Sequence, residues 1–278
     1  MPLALCEGPV IEEERLYETI LYEKYTGVAT IALNRPDKLN TFNGKMHKEL
    51  HDALDRAASD EEVRCVVLRG EGRGFSAGAD LRSEDLSRED GETPDLGEYL
   101  RRTYSRTVTK IVAMDKPALA SLHGPVYGAG VGIALACDLR LAAQSTSFSV
   151  AFVKIGLMPD AGVSYFLPRV VGLGRAMEMS MLGDTVDATE AQRTGLVSRV
   201  VPDEELQKET AALAERLAAM PTRALGRIKR SLYASFESDL ASALEAEAEG
   251  QAFCGYTGDH AEGLAAFFEK RAPDFTGR

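Results

Sequence analysis

Positive charge is in short supply. Thirty-two Lys and Arg stand against 43 Asp and Glu, giving a formal net charge of −11 over 278 residues. Such an excess repels phosphate backbones and acidic lipid at long range, so neither nucleic acid nor a membrane surface is an expected partner. Cysteine and histidine are equally sparse, with four of each. Cys6, Cys65, Cys137 and Cys254 are widely scattered, with no C-x-x-C pair and no clustering with histidine, which argues against a metal site or a disulfide framework. Reduced thiols in the cytoplasm are the simplest expectation. His47 and His51 have helical spacing, but Lys48-Glu49 between them is not the H-E-x-x-H order, so both are expected on a wet helix face.

Long apolar runs are missing as well. The most apolar stretch, 117–143, is interrupted by His123, Asp138 and Arg140, so no membrane span is expected. The opening Met1-Pro2-Leu3-Ala4-Leu5-Cys6 has no basic n-region and its apolar run stops at Glu7, too short for a signal peptide. Phosphate-loop signatures are also absent. Gly128-Ala129-Gly130-Val131-Gly132 lacks the G-x-G-x-x-G spacing of a dinucleotide loop, and no Gly-Lys-Ser/Thr ending marks a Walker loop.

What is present is a chain with 45% hydrophobic and 27% charged residues, enough to bury a sizeable core. After an acidic lead-in at Glu12-Glu13-Glu14, residues 28–33 read as a strand closed by the turn residues Asn34-Arg35-Pro36-Asp37. Met46, Leu50, Ala53, Leu54 and Ala57 then line one face of a helix. Residues 63–68 read as a buried strand running into a glycine-rich loop, and 82–96 as a polar, mobile loop. The same logic recurs with a strand at 117–122, a glycine-rich turn at 123–132 and helix-forming residues at 131–137. Short apolar runs follow at 139–143 and 196–201. This alternation predicts an α/β fold of stacked strand-strand-helix units. From Asp203 the composition shifts to Ala, Glu, Leu and Lys and predicts successive helices, so the expected organisation is a core over 1–202 and a helical region over 203–278. The surplus of Ala and Leu there suggests a face that packs on the same chain or on a second copy.

Two loops can carry chemistry. Phe75-Ser76-Ala77-Gly78-Ala79-Asp80-Leu81 and the glycine-rich 123–132 each end a strand and expose small residues, whose backbone N–H groups can reach a ligand unobstructed. One donor from each would form a hole for a developing oxyanion. Gly74-Phe75-Ser76-Ala77-Gly78 also satisfies G-x-S-x-G, but Ser76 does not directly follow a strand and only His123 and His260 come later, so a serine hydrolase is a poor fit.

Five ordered motifs make the chain resemble the crotonase (enoyl-CoA hydratase/isomerase) superfamily. They are Asn34-Arg35-Pro36-Asp37-Lys38-Leu39-Asn40, then 75–81, 124–138, Gly156-Leu157-Met158-Pro159-Asp160-Ala161-Gly162, and Phe267-Phe268-Glu269-Lys270-Arg271. The resemblance implies a spiral of strand-strand-helix turns that binds acyl-CoA thioesters. It also implies a helical C-terminal region that assembles the protein as a trimer or hexamer, with no cofactor beyond the coenzyme A of the substrate. It places the oxyanion donors at the N–H groups of Ala77 and Ala129. Arg35, Lys38 and Lys270 become candidate cations for the phosphates, and Leu39, Gly78, Ala79, Asp80 and Leu81 fall along the coenzyme A arm. Tyr127 and Phe152 fall by the acyl group. The two glutamates that hydratases of the family use align with Gly132 and Phe152, neither of which transfers a proton. Asp160 aligns with the single aspartate of some family isomerases, including those of phenylacetate degradation. Flanked by Leu157, Met158, Pro159 and Ala161, its carboxylate is expected to be partly desolvated and a stronger base. The expectation is an isomerase, with a hydratase using another base, or a silent acyl-CoA binder, as alternatives.

Overall fold

The computed structural model describes residues 17–86 and 95–278. Cys6, the acidic lead-in at Glu12-Glu13-Glu14 and residues 87–94 of the polar loop lie outside the described residues.

Strands β1 (Ile20–Tyr25) and β2 (Val28–Leu33) form a hairpin closed by Thr26 and Gly27, both at positive φ (47° and 77°), which matches the twist of the flanking strands. From β2 the sheet continues in parallel through β3 (Cys65–Gly70), β4 (Ala118–Leu122), β6 (Leu139–Ala143) and β9 (Arg199–Val201). A second sheet holds β5 (Pro125–Tyr127), β7 (Ser147–Ser149) and β8 (Thr185–Asp187). The chain steps from β4 in the large sheet to β5 in the small one, turns through helix α4 (Ala129–Ala136), and repeats the step from β6 to β7. These are the strand-strand-helix turns expected from the sequence.

Parallel strands are buried on both faces, and alternation along β3 shows how. Val66 and Leu68 point into the main core with Ala118 and Ala120, while Cys65 and Val67 point into a second cluster with Leu119 and Leu141. Helix α1 (Gly44–Ser59) covers the first face; its N-cap Asn43 accepts a hydrogen bond from the Met46 N–H at 2.9 Å. Helix α3 (Tyr104–Ala113) packs along it, and α2 (Leu96–Arg102) packs on α3. His47 and His51 are therefore not on a wet face: α3 covers both, and the His51 Nε2 lies 2.9 Å from the Thr107 hydroxyl.

Helices α5 (Val163–Val171), α6 (Leu173–Leu182) and α7 (Ala188–Arg193) follow α4, and α8 (Leu206–Ala218) closes the second face of the large sheet through Leu206, Ala214 and Ala218. The core thus extends past residue 202. Helix α9 (Thr222–Ser235) is tied in by Lys229, whose buried Nζ donates to the Ile111 carbonyl at 2.8 Å and to Asp138 Oδ2 at 3.0 Å. Burial pushes the Asp138 carboxyl up and Lys229 opposes that shift. Lys229→Met should therefore destabilise the protein by about 2–3 kcal/mol in urea unfolding at neutral pH, because it leaves a partly buried carboxylate with the Ala118 N–H but without its cation. Adding Asp138→Asn should recover part of that loss. Beyond α9, helix α10 (Leu240–Gly255) buries none of its residues and α11 (Gly258–Glu269) packs on it. No helix among the described residues is long and apolar enough to cross a membrane.

Candidate active site

The two loops predicted to carry chemistry run side by side. After β3 the chain approaches β5 so closely that a Cβ on Gly74 would lie 2.6 Å from Pro125 Cδ, and one on Gly124 would lie 2.1 Å from the Arg73 carbonyl. The Ser76 N–H donates to the Pro125 carbonyl (3.1 Å) and the Tyr127 N–H donates back to Ser76 (2.9 Å), pairing the segments like short parallel strands. The turn at 34–40 fixes the same loop from the other side. Buried Asn40, at φ 53°, donates from Nδ2 to the Glu71 and Gly74 carbonyls at 2.8 and 2.9 Å. Sequence reasoning included Asn40 in a motif without giving it a role; the turn residues before the helix were the available signal.

This scaffold decides which amides are free. The Ala77 N–H, expected to be an oxyanion donor, is instead occupied by the Leu39 carbonyl at 2.9 Å. The neighbouring backbone is anchored by Phe42, whose N–H donates to the Gly78 carbonyl (2.8 Å) and whose carbonyl accepts from the Asp80 N–H (2.9 Å). That alternation turns the Ala79 N–H away from Phe42, and among the described residues it has no hydrogen-bond partner. The free amide on this loop is thus that of Ala79, two residues beyond the position expected for a donor. Ala129 is the first residue of α4, so its N–H has no intrahelical acceptor, and its N-cap Gly128 offers no side-chain cap. Gly78, at φ 94°, brings the loops together: a Cβ there would lie 2.9 Å from the Tyr127 carbonyl and 3.4 Å from the Ala129 nitrogen. Two unpaired amides, one at a helix N-terminus, therefore lie side by side, an arrangement suited to an oxyanion.

Asp160 is held by backbone geometry. Ala161 and Gly162 both adopt positive φ (50° and 80°), and the Asp160 carbonyl accepts the Val163 N–H at 2.9 Å as α5 begins. The turn rests on α4, since a Cβ at Gly132 would be 2.3 Å from the Ala161 carbonyl. Gly132 lies three residues, about 4.5 Å of helix rise, from Ala129. The carboxyl is partly buried, its Oδ1 has no partner among the described residues, and desolvation pushes its pKa up to about 6. Such a group ionises near neutrality and suits proton transfer.

The other expected residues fall in three groups. Phe152 is buried beside the Gly128 turn, with its Cζ 4.0 Å from where a Gly128 Cβ would lie, so it forms an apolar wall. Tyr127 places its hydroxyl 3.0 Å from that of Ser147. Arg35 is not a free cation, because its guanidinium pairs with Asp80 at 2.8 Å and donates to the Thr41 carbonyl at 2.6 Å; it clamps the loop instead. Leu39 acts through its carbonyl on Ala77, Leu81 is exposed just past the loop, and Lys38 is exposed on the same side turn. Lys270 caps α11 in exposed surface, apart from these loops. Ser76 is fully buried, donating to the Asn40 carbonyl and accepting from the Gly78 N–H, so the G-x-S-x-G match is a structural serine. The contact between Gly132 and Ala161 also has a consequence for glutamate at that position. Gly132→Glu should not create a hydratase, but should lower the melting temperature and impair the site, since overpacking typically costs about 1–3 kcal/mol.

Comparison with known proteins agrees with this architecture. The sequence model of the enoyl-CoA hydratase/isomerase family matches residues 23–278. A 1,2-epoxyphenylacetyl-CoA isomerase of Escherichia coli (strain K12) is 40% identical over 263 residues, covering 95% of this chain and 100% of that protein. A Rhodobacter capsulatus protein named "probable enoyl-CoA hydratase" is 41% identical over 262 residues, covering 94% and 99%. The crystal structure of an enoyl-CoA hydratase from Bacillus anthracis superposes with a TM-score of 0.88 at 31% identity, covering 94% of this chain and 100% of that one. The spiral, the paired glycine loops and these matches along nearly the whole chain have one reading: the protein belongs to the enoyl-CoA hydratase/isomerase, or crotonase, family and is an enzyme of that type.

Proposed function

We propose that the protein isomerises an acyl-CoA thioester through an enolate, with Asp160 moving the proton and the Ala79 and Ala129 amides holding the enolate oxygen. The observation that carries this reading is the desolvated carboxylate of Asp160, set against Gly132 of α4 and lacking, among the described residues, the ion-pair partner that Asp138 has in Lys229, with Gly132 and Phe152 in the positions where hydratases of the family carry glutamates. Removing a proton from the carbon next to the thioester carbonyl drives negative charge onto its oxygen. Two aimed N–H groups stabilise that charge, each worth about 3–4 kcal/mol of barrier. The carboxylate can then return the proton to a different carbon, which moves the double bond and leaves the base as it began. The name of the Escherichia coli relative supports isomerisation and suggests a phenylacetyl-derived, ring-bearing acyl-CoA as substrate.

The test is turnover of a 3-enoyl-CoA, with product analysed in water enriched in oxygen-18. Isomerisation predicts a shifted double bond and no label; a labelled hydroxyacyl-CoA would favour the hydratase reading that the name of the Rhodobacter relative suggests. Binding without any turnover would leave a silent acyl-CoA binder.

The same reading includes self-assembly. Among the described residues nothing fully buries a residue of helix α10, and Leu240, Phe236, Phe267 and Phe268 are all more than half exposed. Burying that surface between copies would give a trimer or a pair of trimers, and would set Lys270 of one copy near a neighbour. Light scattering should report three or six chains per particle, and Leu240→Asp should shift the population to monomer.

A further inference from the structure

Positive charge, scarce in the chain as a whole, is concentrated in one cavity. The cavity has a volume of 660 Å³ and lies between the end of α1, the start of α9 and residues 276–278; six of its lining residues are Lys or Arg and two are acids. Both acids are already used, Asp115 by Arg230 and Glu61 by Arg278 at 3.5 Å. The remaining four cations, Arg64, Lys116, Arg223 and Arg227, have no carboxylate within ion-pair distance among the described residues.

Two of these cations are fixed by neutral partners. Arg64 donates to the Thr222 hydroxyl at 2.9 Å and to the Phe275 and Met220 carbonyls at 2.7 and 2.6 Å. Lys116 donates to the Ala57 and Asp60 carbonyls at 2.7 and 2.5 Å. Such partners satisfy the donors but carry only partial charge, so a full positive charge stays at each position, and desolvation pushes both groups below their ordinary pKa. The acids nearby are committed elsewhere. Asp60 pairs with Lys24 at 3.1 Å, and the Asp259 oxygens accept the Thr276 and Gly277 N–H groups at 2.7 and 2.9 Å. Arg223 and Arg227 stand one turn apart on α9, and the Arg227 guanidinium lies 4.0 Å over the Phe253 ring. The cavity is also remote from the active site: Arg64 and Lys116 stand just before β3 and β4, the donor loops leave from the far ends of those strands, and the six residues of β3 span about 20 Å.

We infer that this cavity is a second, non-catalytic site that binds a diphosphate, either inorganic pyrophosphate or the diphosphate of a nucleotide, with Arg223 and Arg227 gripping phosphoryl oxygens over the fixed charges of Arg64 and Lys116. Guanidinium forks match phosphoryl oxygens two at a time, and a ligand with two or three negative charges balances cations that carboxylates leave uncompensated. The volume of 660 Å³ is more than one phosphate fills and falls in the range of about 300–1,000 Å³ usual for small-molecule sites. None of the lining residues belongs to the donor loops or to the Asp160 turn, so the site stands whatever reaction those loops perform.

Calorimetry with pyrophosphate, ADP and adenosine, each with and without excess unreactive acyl-CoA, tests this on the full chain. Wild type should bind one diphosphate per chain with an affinity that acyl-CoA does not lower, and adenosine should not bind. Tighter binding of ADP than of pyrophosphate would make the nucleotide the ligand; otherwise the ligand is the inorganic diphosphate. Arg223→Gln/Arg227→Gln removes no hydrogen bond described in the fold and should weaken binding about tenfold or more while turnover is unchanged. Arg223→Glu, a charge reversal at an exposed position, should do the same on its own. Failure of both diphosphates to bind wild type, their displacement by acyl-CoA, adenosine binding as tightly as ADP, or a smaller loss in both variants would overturn the inference.

Discussion

Replacing Asp160 with Asn is expected to lower isomerase turnover by about a thousandfold while leaving the dissociation constant for an unreactive acyl-CoA within about twofold. The side chain keeps its shape and loses only its ability to accept a proton. Rate against pH should give the second signature. With the carboxyl raised to about 6 by desolvation, the wild-type rate should fall as pH drops through about 6. The effect on stability has the opposite sign to that of an ion-paired carboxylate. The folded-state pKa lies above the ordinary value of 3.8, so the unfolded chain ionises first as pH rises. Stability is then lost from about pH 4 and is fully lost above about pH 6, amounting to at most about 3 kcal/mol. Asp160→Asn should therefore melt at a higher temperature than wild type at pH 7.5, with the gap closing near pH 4. A variant that is inactive but more stable is what a strained functional group predicts. A variant that loses both activity and stability would make Asp160 structural.

Ala79→Pro should have the next largest effect. Proline removes the amide hydrogen, and at residue 79 that hydrogen has no partner among the described residues, so no hydrogen bond described in the fold is lost. The turnover number should fall about a hundred- to a thousandfold. Ala79→Ser, which keeps the N–H, should retain most activity. At residue 77 the outcome should differ, because proline there removes the bond to the Leu39 carbonyl that shapes the loop. Ala77→Pro should lower the melting temperature, and any loss of rate should follow the loss of fold. Proteins of equal activity at Ala79→Pro and wild type would place the oxyanion elsewhere.

The comparison of residues 77 and 79 shows where sequence reasoning ran out. The pairing of two glycine-rich loops was legible, because strand-then-glycine patterns recur at the right places and small residues there allow backbones to meet. Which alanine keeps a free amide was not. Ala77 and Ala79 are the same residue type on either side of Gly78, and the choice between them depends on the Leu39 and Phe42 backbones, from a distant turn. Arg35 is a similar case: its charge was visible, but its pairing with Asp80 depends on how that turn folds over the loop. His47 and His51 were misassigned to solvent because the apolar stripe of α1 was read without α3, whose Thr107 and Tyr104 cover them. Asp160 was legible because Pro159 and its apolar neighbours announced desolvation locally, although its placement against Gly132 depends on a contact between distant segments.

The most direct measurement is deuterium uptake at the carbon next to the thioester carbonyl, followed by NMR on an acyl-CoA incubated with the protein in heavy water. Wild type should wash deuterium into that position, Asp160→Asn should not, and Ala79→Pro should do so at a rate reduced in parallel with its turnover. Exchange that persists in Asp160→Asn, or turnover by wild type with no exchange and with the proton retained by a route independent of Asp160, would contradict the assignment of this carboxylate as the group that makes the enolate.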